Sequence, residues 1–311
     1  YNRNSRGVNE MLKIGFAAGE DLEVLFLVSI MCSRGGTLSG NSNEYQVIII
    51  GAGFAGVAVA KRLAKAKIET LLIDRNSYQQ FQPLLYQVAT AQLPPADVAE
   101  PLRETFRKSP TVRVLTAEVT SIDGKARTVT LGNGQVLQAE TLVISAGAEV
   151  SFFGTPGAKE YAYPLYSVDD ANRLAAALTS ELDSLDEQAL TSDAIKPTNI
   201  VVVGGGPTGV ETAGAISDAV RRIAPRYFAD GVSTSITVDL VDLGPTVLGP
   251  FEEPLQKYTE ERLTELGVRL NLNTGVKEVR ADGVTLSDGS TLPAQVVIWA
   301  GGEHAQSVIS T

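Results

Sequence analysis

Two glycine-rich segments have the composition and spacing of pyrophosphate-binding loops. VIIIGAGFAG (Val47–Gly56) and IVVVGGGPTG (Ile200–Gly209) each consist of a short apolar run that opens into Gly-x-Gly-x-x-Gly. That pattern predicts a buried parallel strand, a tight turn and a helix N-terminus whose N–H groups face an anion. A plain strand–helix turn competes with this interpretation for either loop alone. Two such loops in one chain favour two bound dinucleotides, held so that electrons pass between them.

The three glycines of each loop have separate expected roles. The first permits the sharp turn, the second lets the backbone approach the phosphates, and the third lets the helix pack against the strand. In chain order they are Gly51, Gly53 and Gly56 in the first loop and Gly204, Gly206 and Gly209 in the second.

An acidic residue ends the strand that follows each loop, where it can hold an adenosine ribose. Asp74 ends ETLLID, close to the expected spacing, and Asp242 ends ITVDLVD after more than the usual ~20 residues. The excess lies in RRIAPRYFADGVSTS (Arg221–Ser235), which we interpret as a helix end and loop. A solvated residue at a strand end is the alternative for either aspartate. Because a carboxylate disfavours a 2′-phosphate and Leu243-Gly244-Pro245 offers no arginine, the second loop favours NADH over NADPH.

The material after each loop is also repeated, which indicates the elements that position these residues. In both halves a strand pair is joined by a turn signal, Asn133-Gly134 or Asp288-Gly289. An apolar strand then runs into Ala-Gly, as TLVISAGA (Thr141–Ala148) and VVIWAGG (Val296–Gly302). We therefore predict an α/β fold of two Rossmann-like dinucleotide-binding domains, each a parallel sheet with a β-hairpin or meander insert.

Composition excludes several kinds of chemistry. The chain has 311 residues and a formal net charge of −10, which argues against a nucleic-acid partner. One cysteine, Cys32, and one histidine, His304, cannot form a dithiol, an iron–sulfur site or a histidine metal site. Redox chemistry must then belong to bound cofactors. Residues 1–43 fit neither repeat; we interpret them as a flexible leader, with an additional packed helix as the alternative.

One block is more specific than a nucleotide-binding fold. FQPLLYQVATAQL (Phe81–Leu93) closely resembles the flavin-proximal stretch of type II NADH dehydrogenases, which are single-polypeptide, non-proton-pumping NADH:quinone oxidoreductases. GGGPTGVETAG (Gly204–Gly214) and VDLGPTVL (Val241–Leu248) are similar to later segments of that family. The resemblance covers Glu44–Gly302. It implies a glutathione-reductase-like architecture with an FAD domain at 44–154, an NADH domain at 155–302, and a return toward the FAD domain at 303–311.

The resemblance also implies a reaction. In this family the nicotinamide of NADH passes a hydride to FAD, and the reduced flavin gives two electrons to a quinone in the respiratory chain. One alternative keeps both nucleotides but reduces a protein acceptor such as ferredoxin or rubredoxin. Another is a nucleotide-binding fragment that does not turn over.

Residue roles follow from the resemblance by position. Pro83 and Leu84 would lie near the flavin ring, and Glu211 would act catalytically at the nicotinamide–flavin junction by gating a proton or orienting NADH. The alternative for Glu211 is a glutamate that the helix macrodipole favours. Burial would raise its pKa and the helix terminus would lower it. The remaining expected contacts are Gly51, Gly53, Gly56, Asp74, Val119 and Gly147 with FAD, and Gly204, Gly206, Gly209, Asp242 and Gly301 with NADH.

The chain departs from the family in three places. Gln79 and Gln80 stand where a histidine is usual, and Tyr166 replaces a frequent lysine. The chain stops at Thr311, before the family's quinone-site segment and membrane-surface helices. We expect a complete family member to be peripheral on the cytoplasmic face of the membrane, and this chain alone to be soluble and to retain FAD weakly. A homodimer is a further expectation.

Overall fold

The computed structural model describes residues 12–13, 29–32, 44–192 and 194–310, and the chain forms two compact units. Most of the predicted leader lies outside the described residues. The first unit comprises Tyr1–Gln80, Ala99–Glu149 and Ala305–Thr311, and the second comprises Phe81–Val98 and Val150–His304. The second unit therefore takes in Phe81–Val98, which the sequence analysis kept within 44–154. The functional domain boundaries stay a prediction.

Strands occur throughout both units. Up to residue 150 they are β1 (Leu12–Lys13), β2 (Ser29–Cys32), β3 (Glu44–Ile50), β4 (Thr70–Asp74), β5 (Tyr78–Gln80), β6 (Ala99–Pro101), β7 (Val112–Thr116), β8 (Val119–Asp123), β9 (Thr128–Leu131), β10 (Val136–Ile144) and β11 (Ala148–Val150). Beyond it they are β12 (Ala162–Pro164), β13 (Thr198–Val203), β14 (Ile236–Val241), β15 (Val268–Asn271), β16 (Val276–Arg280), β17 (Gly283–Leu286), β18 (Thr291–Pro293), β19 (Val296–Trp299) and β20 (Glu303–Ala305).

Helices connect the parallel strands. The α-helices are α1 (Phe54–Lys65), α2 (Leu85–Ala89), α3 (Leu102–Thr105), α4 (Ala158–Tyr161), α5 (Val168–Thr191), α6 (Pro207–Asp218), α7 (Val232–Ser235) and α8 (Glu253–Glu265). Single turns of 3-10 helix lie at Gln82–Leu84, Pro95–Val98, Ala224–Arg226 and Ser307–Ser310, and a π-turn lies at Ala219–Ile223.

The sheet of the first unit has the order β1-β2-β10-β3-β4-β7, with the β8–β9 hairpin attached to β10. Strands β10, β3, β4 and β7 are mutually parallel. Ile48 and Ile49 are both fully buried although they point to opposite faces of β3. Both faces of the sheet are therefore covered, as an apolar run such as VIII requires.

The second unit repeats this arrangement. Its parallel sheet has the order β12-β19-β13-β14-β15, beside an antiparallel meander of β16, β17 and β18. In the first unit β3, which precedes the glycine loop, lies between β10 and β4. In the second unit β13 lies between β19 and β14 in the same way. The predicted α/β fold of two Rossmann-like modules is confirmed. Each loop leaves the carboxyl end of a central strand, the edge at which such sheets bind ligands.

Two local predictions need correction. In the first module the second hairpin strand and the returning strand are one continuous strand, β10, whereas β18 and β19 are separate in the second module. Pro293 explains the break, because it has no N–H, and the following Ala294 N–H donates to the carbonyl of Asp282 (3.0 Å). The segment Arg221–Ser235 contains the predicted helix end, to Arg226, and the predicted loop, but it also contains the short helix α7, which was not predicted.

A buried ion pair fixes the strand that leads to Asp242. Asp239 is 2% exposed and accepts hydrogen bonds from the guanidinium of Arg269 and from Asn271 Nδ2 (2.9 Å).

Replacing Arg269 by methionine leaves this carboxylate without its cation. We expect a loss of about 2 kcal/mol in the free energy of unfolding, below the ~3–5 kcal/mol typical of buried pairs, because the guanidinium is half exposed. Denaturant unfolding measures the difference.

Arg262→Met is the matched control for Arg269→Met. Arg262 pairs with Glu265 at 2.7 Å on the surface of α8, where solvent screens the charges. The free energy of unfolding of Arg262→Met should be close to that of the wild type. Equal destabilisation by the two substitutions would contradict the structural role given to Asp239.

Candidate functional site

The first glycine loop forms an open cradle at the N-terminus of α1. Gly51 has φ +95°, and a Cβ there would lie 2.2 Å from the carbonyl oxygen of Ser145. A Cβ on Gly56 would lie 1.9 Å from the carbonyl oxygen of Gly51. At Gly53, the N-cap residue of α1, a Cβ would meet no atom of the described residues within 4 Å, and glycine has no side chain with which to cap the helix. The first and third glycines are thus required by the fold, and the second leaves room for a ligand.

Asp74 holds this loop from the neighbouring strand. Its Oδ2 accepts the N–H of Ala52 at 2.6 Å, and its Oδ1 accepts the N–H of Asn76 at 2.7 Å. A carboxylate oxygen has two lone pairs, so each retains capacity for a ribose hydroxyl. Asp74 is therefore both a support for the loop and an available acceptor.

Ser145 is a loop contact that the sequence analysis missed. Its hydroxyl lies 2.8 Å from the carbonyl oxygen of Gly51 and 3.0 Å from that of Ile50, and it can donate to either. In the structure Ser145 is equivalent to Ala300, because the N–H of each donates to the carbonyl of the residue before its glycine loop (2.8 and 2.9 Å). Aligning the two strands on their Ala-Gly places Ser145 opposite Trp299 instead, so the sequence repeat did not indicate this contact.

Val119 and Gly147, both predicted FAD contacts, lie near the same edge of the sheet. Val119 begins β8, two residues after Ala117, whose N–H donates to the carbonyl of Asp74 at 2.8 Å. Gly147 follows Ser145 by two residues and has φ +72°. The structure thus gathers the predicted first-unit residues around one loop.

The second loop has the same construction. Gly204 has φ +112°, and a Cβ there would lie 3.0 Å from backbone atoms of Gly301, which is also a predicted NADH contact. A Cβ on Gly209 would lie 1.8 Å from the carbonyl oxygen of Gly204. Gly206 is the N-cap of α6, and a Cβ on it would meet nothing within 4 Å among the described residues. Each loop can accommodate a pyrophosphate at a helix N-terminus.

Asp242 ties the second loop to the turn that follows it. Its Oδ2 accepts the N–H of Gly205 and its Oδ1 accepts the N–H of Gly244, both at 2.6 Å. The N–H of Leu248 then donates back to the carbonyl of Gly205 at 2.8 Å. Glu260 of α8 accepts a hydrogen bond from the hydroxyl of Thr246 at 2.5 Å and so holds the turn from the other side. This contact was not predicted, because α8 carries no recognisable motif.

Leu243, at the position where an arginine would favour NADPH, is 77% exposed. Its side chain lies over Gly275, where a Cβ would be 2.6 Å from a Leu243 methyl carbon. The turn therefore presents an apolar side chain beside the Asp242 carboxylate. Such a surface suits an adenosine with free ribose hydroxyls better than one carrying a 2′-phosphate.

The segment Phe81–Val98 packs within the second unit, as does Glu211. The N–H of Phe81 donates to the carbonyl of Val98 at 2.7 Å and closes the base of the segment. Leu85 and Val88 of α2 are buried, and α2 contacts α5 and α6. Pro83 and Leu84 lie on the 3-10 turn that precedes α2, where Pro83 is exposed and Leu84 half-buried.

Two carboxyl groups of the second unit, those of Glu211 and Glu303, have raised pKa values. Glu211 is the fifth residue of α6. Its side chain as a whole is exposed, but protein atoms around the carboxyl group bury it partly and raise its pKa above the ordinary 4.5. Burial likewise raises the pKa of Glu303, which the hydrogen bond from Gln82 partly offsets.

A raised pKa at Glu211 makes stability depend on pH. The folded state holds the proton more tightly than the unfolded state, so this residue's contribution is fully present below 4.5 and is lost as pH rises through the folded pKa. Glu211→Gln removes that loss. We expect the thermal midpoint of the variant to rise relative to the wild type between pH about 4 and neutral pH. A constant difference between the two proteins would contradict the burial of this carboxyl group.

Among the described residues, no helix is both long and apolar enough to cross a membrane. The same part of the chain contains no group of three or more histidine, cysteine or acidic side chains that could hold a metal ion.

Comparison with known proteins establishes the family. The sequence model of the pyridine nucleotide-disulphide oxidoreductases matches residues 45–310. The chain belongs to that family. A type II NADH:quinone oxidoreductase of Mycobacterium tuberculosis is 35% identical over 269 residues, covering 84% of this chain and 58% of that protein. A probable mitochondrial NADH-ubiquinone oxidoreductase of Schizosaccharomyces pombe is 28% identical and covers 84% and 50%. The predicted resemblance to type II NADH dehydrogenases is confirmed.

Solved structures agree on the fold. NDH2 from Plasmodium falciparum in complex with NADH superimposes with a TM-score of 0.78 at 22% identity, covering 85% of this chain and 56% of that one. Sulfide:quinone oxidoreductase from Aquifex aeolicus gives 0.70 at 20% identity, covering 86% and 60%. This chain thus spans about half to three fifths of the proteins it matches. With a single cysteine, it cannot use the dithiol that the family name implies.

Proposed function

We propose that this chain takes a hydride from NADH into a bound FAD and passes two electrons to a quinone. The observation that carries the proposal is the pair of equivalent cradles. Each has an open second glycine, a helix N-terminus whose N-cap residue is glycine and so has no capping side chain, and an aspartate tied to the loop. The similarity to type II NADH:quinone oxidoreductases supports the assignment of the reaction.

In the first unit, Gly51, Gly53 and Gly56 would hold the FAD pyrophosphate while Asp74 accepts a ribose hydroxyl. Val119 would contact the adenine through its backbone. Bound FAD supplies the two-electron chemistry that the side chains of this protein lack. The chain's own contribution is to bind and orient the nucleotides and to exclude water from the point of transfer.

In the second unit, Gly204, Gly206, Gly209 and Gly301 would receive NADH, and Asp242 would bind its ribose. The carboxylate of Asp242 and the apolar Leu243 support NADH rather than NADPH. We assign Glu211 to the nicotinamide end of the site, where its partly buried carboxyl group orients NADH or holds a proton.

The role of Glu211 predicts a kinetic defect in Glu211→Gln. NADH oxidation should slow while FAD stays bound, because the substitution removes a charge and keeps the shape of the side chain. Steady-state rates and the flavin absorbance of the purified protein measure both effects. Glu261→Gln, an exposed position on α8, is the matched control. Unchanged kinetics in Glu211→Gln would remove this residue from the mechanism.

The acceptor is tested by direct comparison. Under NADH, a soluble quinone should turn over faster than ferredoxin or rubredoxin. If ferredoxin or rubredoxin is reduced faster, a protein replaces the quinone as the proposed electron acceptor. If the purified protein stays colourless when FAD is added, the chain does not hold a flavin and the proposed function is limited to nucleotide binding. Attachment to a membrane surface and formation of a homodimer belong to the same proposal. Sedimentation with lipid vesicles tests the attachment, and light scattering tests the dimer.

A further inference from the structure

The segment Phe81–Val98 is held in the second unit by apolar contacts on one side. Leu85, Val88 and Ala89 of α2 are buried, with 1–2% exposure, and Phe81 closes the base of the segment onto Val98. The 3-10 turn Gln82–Leu84 lies before this buried helix and contains no buried residue. Burial therefore fixes the turn only from the α2 side.

The end of β19 offers a second, rigid attachment point in the same unit. Gly302 has φ +86°, and a Cβ there would lie 2.3 Å from a ring carbon of Phe153, so glycine is required. The carbonyl of Gly302 accepts the N–H of Ser151 (2.9 Å), and the carbonyl of Ser151 accepts Trp299 Nε1–H (2.9 Å). The backbone at Glu303, the next residue, is therefore fixed.

A side-chain hydrogen bond joins the turn to this point. Gln82 Nε2 donates to Glu303 Oε1 at 3.3 Å, across 221 residues of sequence. Gln82 precedes Pro83, a predicted flavin contact, and Glu303 lies two residues after Gly301, a predicted NADH contact. The bond thus connects a segment assigned to the flavin ring with a segment assigned to NADH.

We propose that Gln82 and Glu303 are a positioning pair that sets the Gln82–Leu84 turn relative to the NADH-binding segment at Gly301. This inference rests on the proposed function. The backbone hydrogen bond of Phe81 and the buried Leu85 hold the backbone on either side of the turn, and the bond to Glu303 adds an attachment within the turn itself, at Gln82. Small errors in the placement of reacting groups slow a transfer step strongly, which gives one exposed hydrogen bond a kinetic effect.

The first test needs no cofactor. Hydrogen–deuterium exchange of the full chain should be faster at Gln82–Leu84 in Gln82→Ala and in Glu303→Ala than in the wild type. Glu303→Gln retains an acceptor oxygen and should exchange as the wild type does. Gln92→Ala, an exposed glutamine of the same segment, is the matched control. Unchanged exchange at Gln82–Leu84 in both alanine variants would overturn the pair.

The second test measures flavin reduction by NADH in the FAD-loaded chain. Each alanine variant should slow reduction about tenfold with an NADH dissociation constant close to that of the wild type, as expected for one lost hydrogen bond. The double variant should be no slower than either single one, and Glu303→Gln should recover most of the rate. Additive losses, or wild-type rates in the single variants, would overturn the inference. A wild-type flavin that NADH does not reduce would instead overturn the proposed function, and the exchange experiment would still decide the pair.

Discussion

Replacing Gly206 by alanine should weaken NADH binding at least tenfold while the protein stays folded. A Cβ at Gly206 would point into space that none of the described residues fills within 4 Å, so the fold tolerates it. That space is where the second glycine of such a loop admits a pyrophosphate. A tenfold loss corresponds to about 1.4 kcal/mol of binding. The free energy of unfolding should change by no more than about 1 kcal/mol, because the φ of −74° at Gly206 suits alanine, although alanine is a poorer N-cap than glycine. Fluorescence titration and thermal unfolding measure the two quantities.

The neighbouring glycines supply controls for Gly206→Ala. In Gly209→Ala the added Cβ would lie 1.8 Å from the carbonyl oxygen of Gly204, so this variant should lose stability as well as binding. Gly53→Ala is the equivalent change in the first unit and should reduce FAD retention without affecting NADH affinity. If Gly206→Ala binds NADH as the wild type does, the pyrophosphate does not lie at the N-terminus of α6.

Replacing Asp242 by asparagine should lower NADH affinity by about 10- to 100-fold. Both carboxylate oxygens accept backbone N–H groups at 2.6 Å, from Gly205 on the loop and Gly244 on the turn. Asparagine has one acceptor oxygen, so its NH2 group would face one of those donors. The variant loses a charge-assisted hydrogen bond and a ribose acceptor, each worth roughly 1.5–3 kcal/mol at most. Adding Leu243→Arg should shift the ratio of NADH to NADPH affinity at least a further tenfold toward NADPH.

Asp74→Asn is the matched variant for the first unit. Asp74 makes the same pair of contacts, with the N–H groups of Ala52 and Asn76. FAD retention should fall in this variant while NADH affinity stays unchanged. Unaltered NADH and NADPH affinities in Asp242→Asn would remove the aspartate from nucleotide recognition.

Local sequence signals predicted the parts of this fold that depend on a few consecutive residues. The apolar run before Gly51 and the glycine spacing define a strand, a turn and a helix start, and all three are present in both units. The turn signals Asn133-Gly134 and Asp288-Gly289 also lie between paired strands, and both glycines have positive φ. These features are encoded where they occur, so one sequence suffices to find them.

Contacts between distant residues were not accessible in the same way. Ser145 reaches Gly51 across 94 residues and Gln82 reaches Glu303 across 221. Neither pair has a spacing that marks it. The placement of Phe81–Val98 within the second unit has the same origin, because the burial of α2 depends on helices α5 and α6, which come much later in the chain.

The central claim is that NADH reduces a flavin held by this chain, and one anaerobic experiment tests it most directly. The protein is loaded with FAD and mixed with one equivalent of NADH while its visible absorbance is followed. We expect rapid loss of the oxidised-flavin absorbance, much slower loss with NADPH, and recovery of the absorbance when a soluble quinone is added. Bound flavin that keeps its colour in the presence of NADH would contradict the claim.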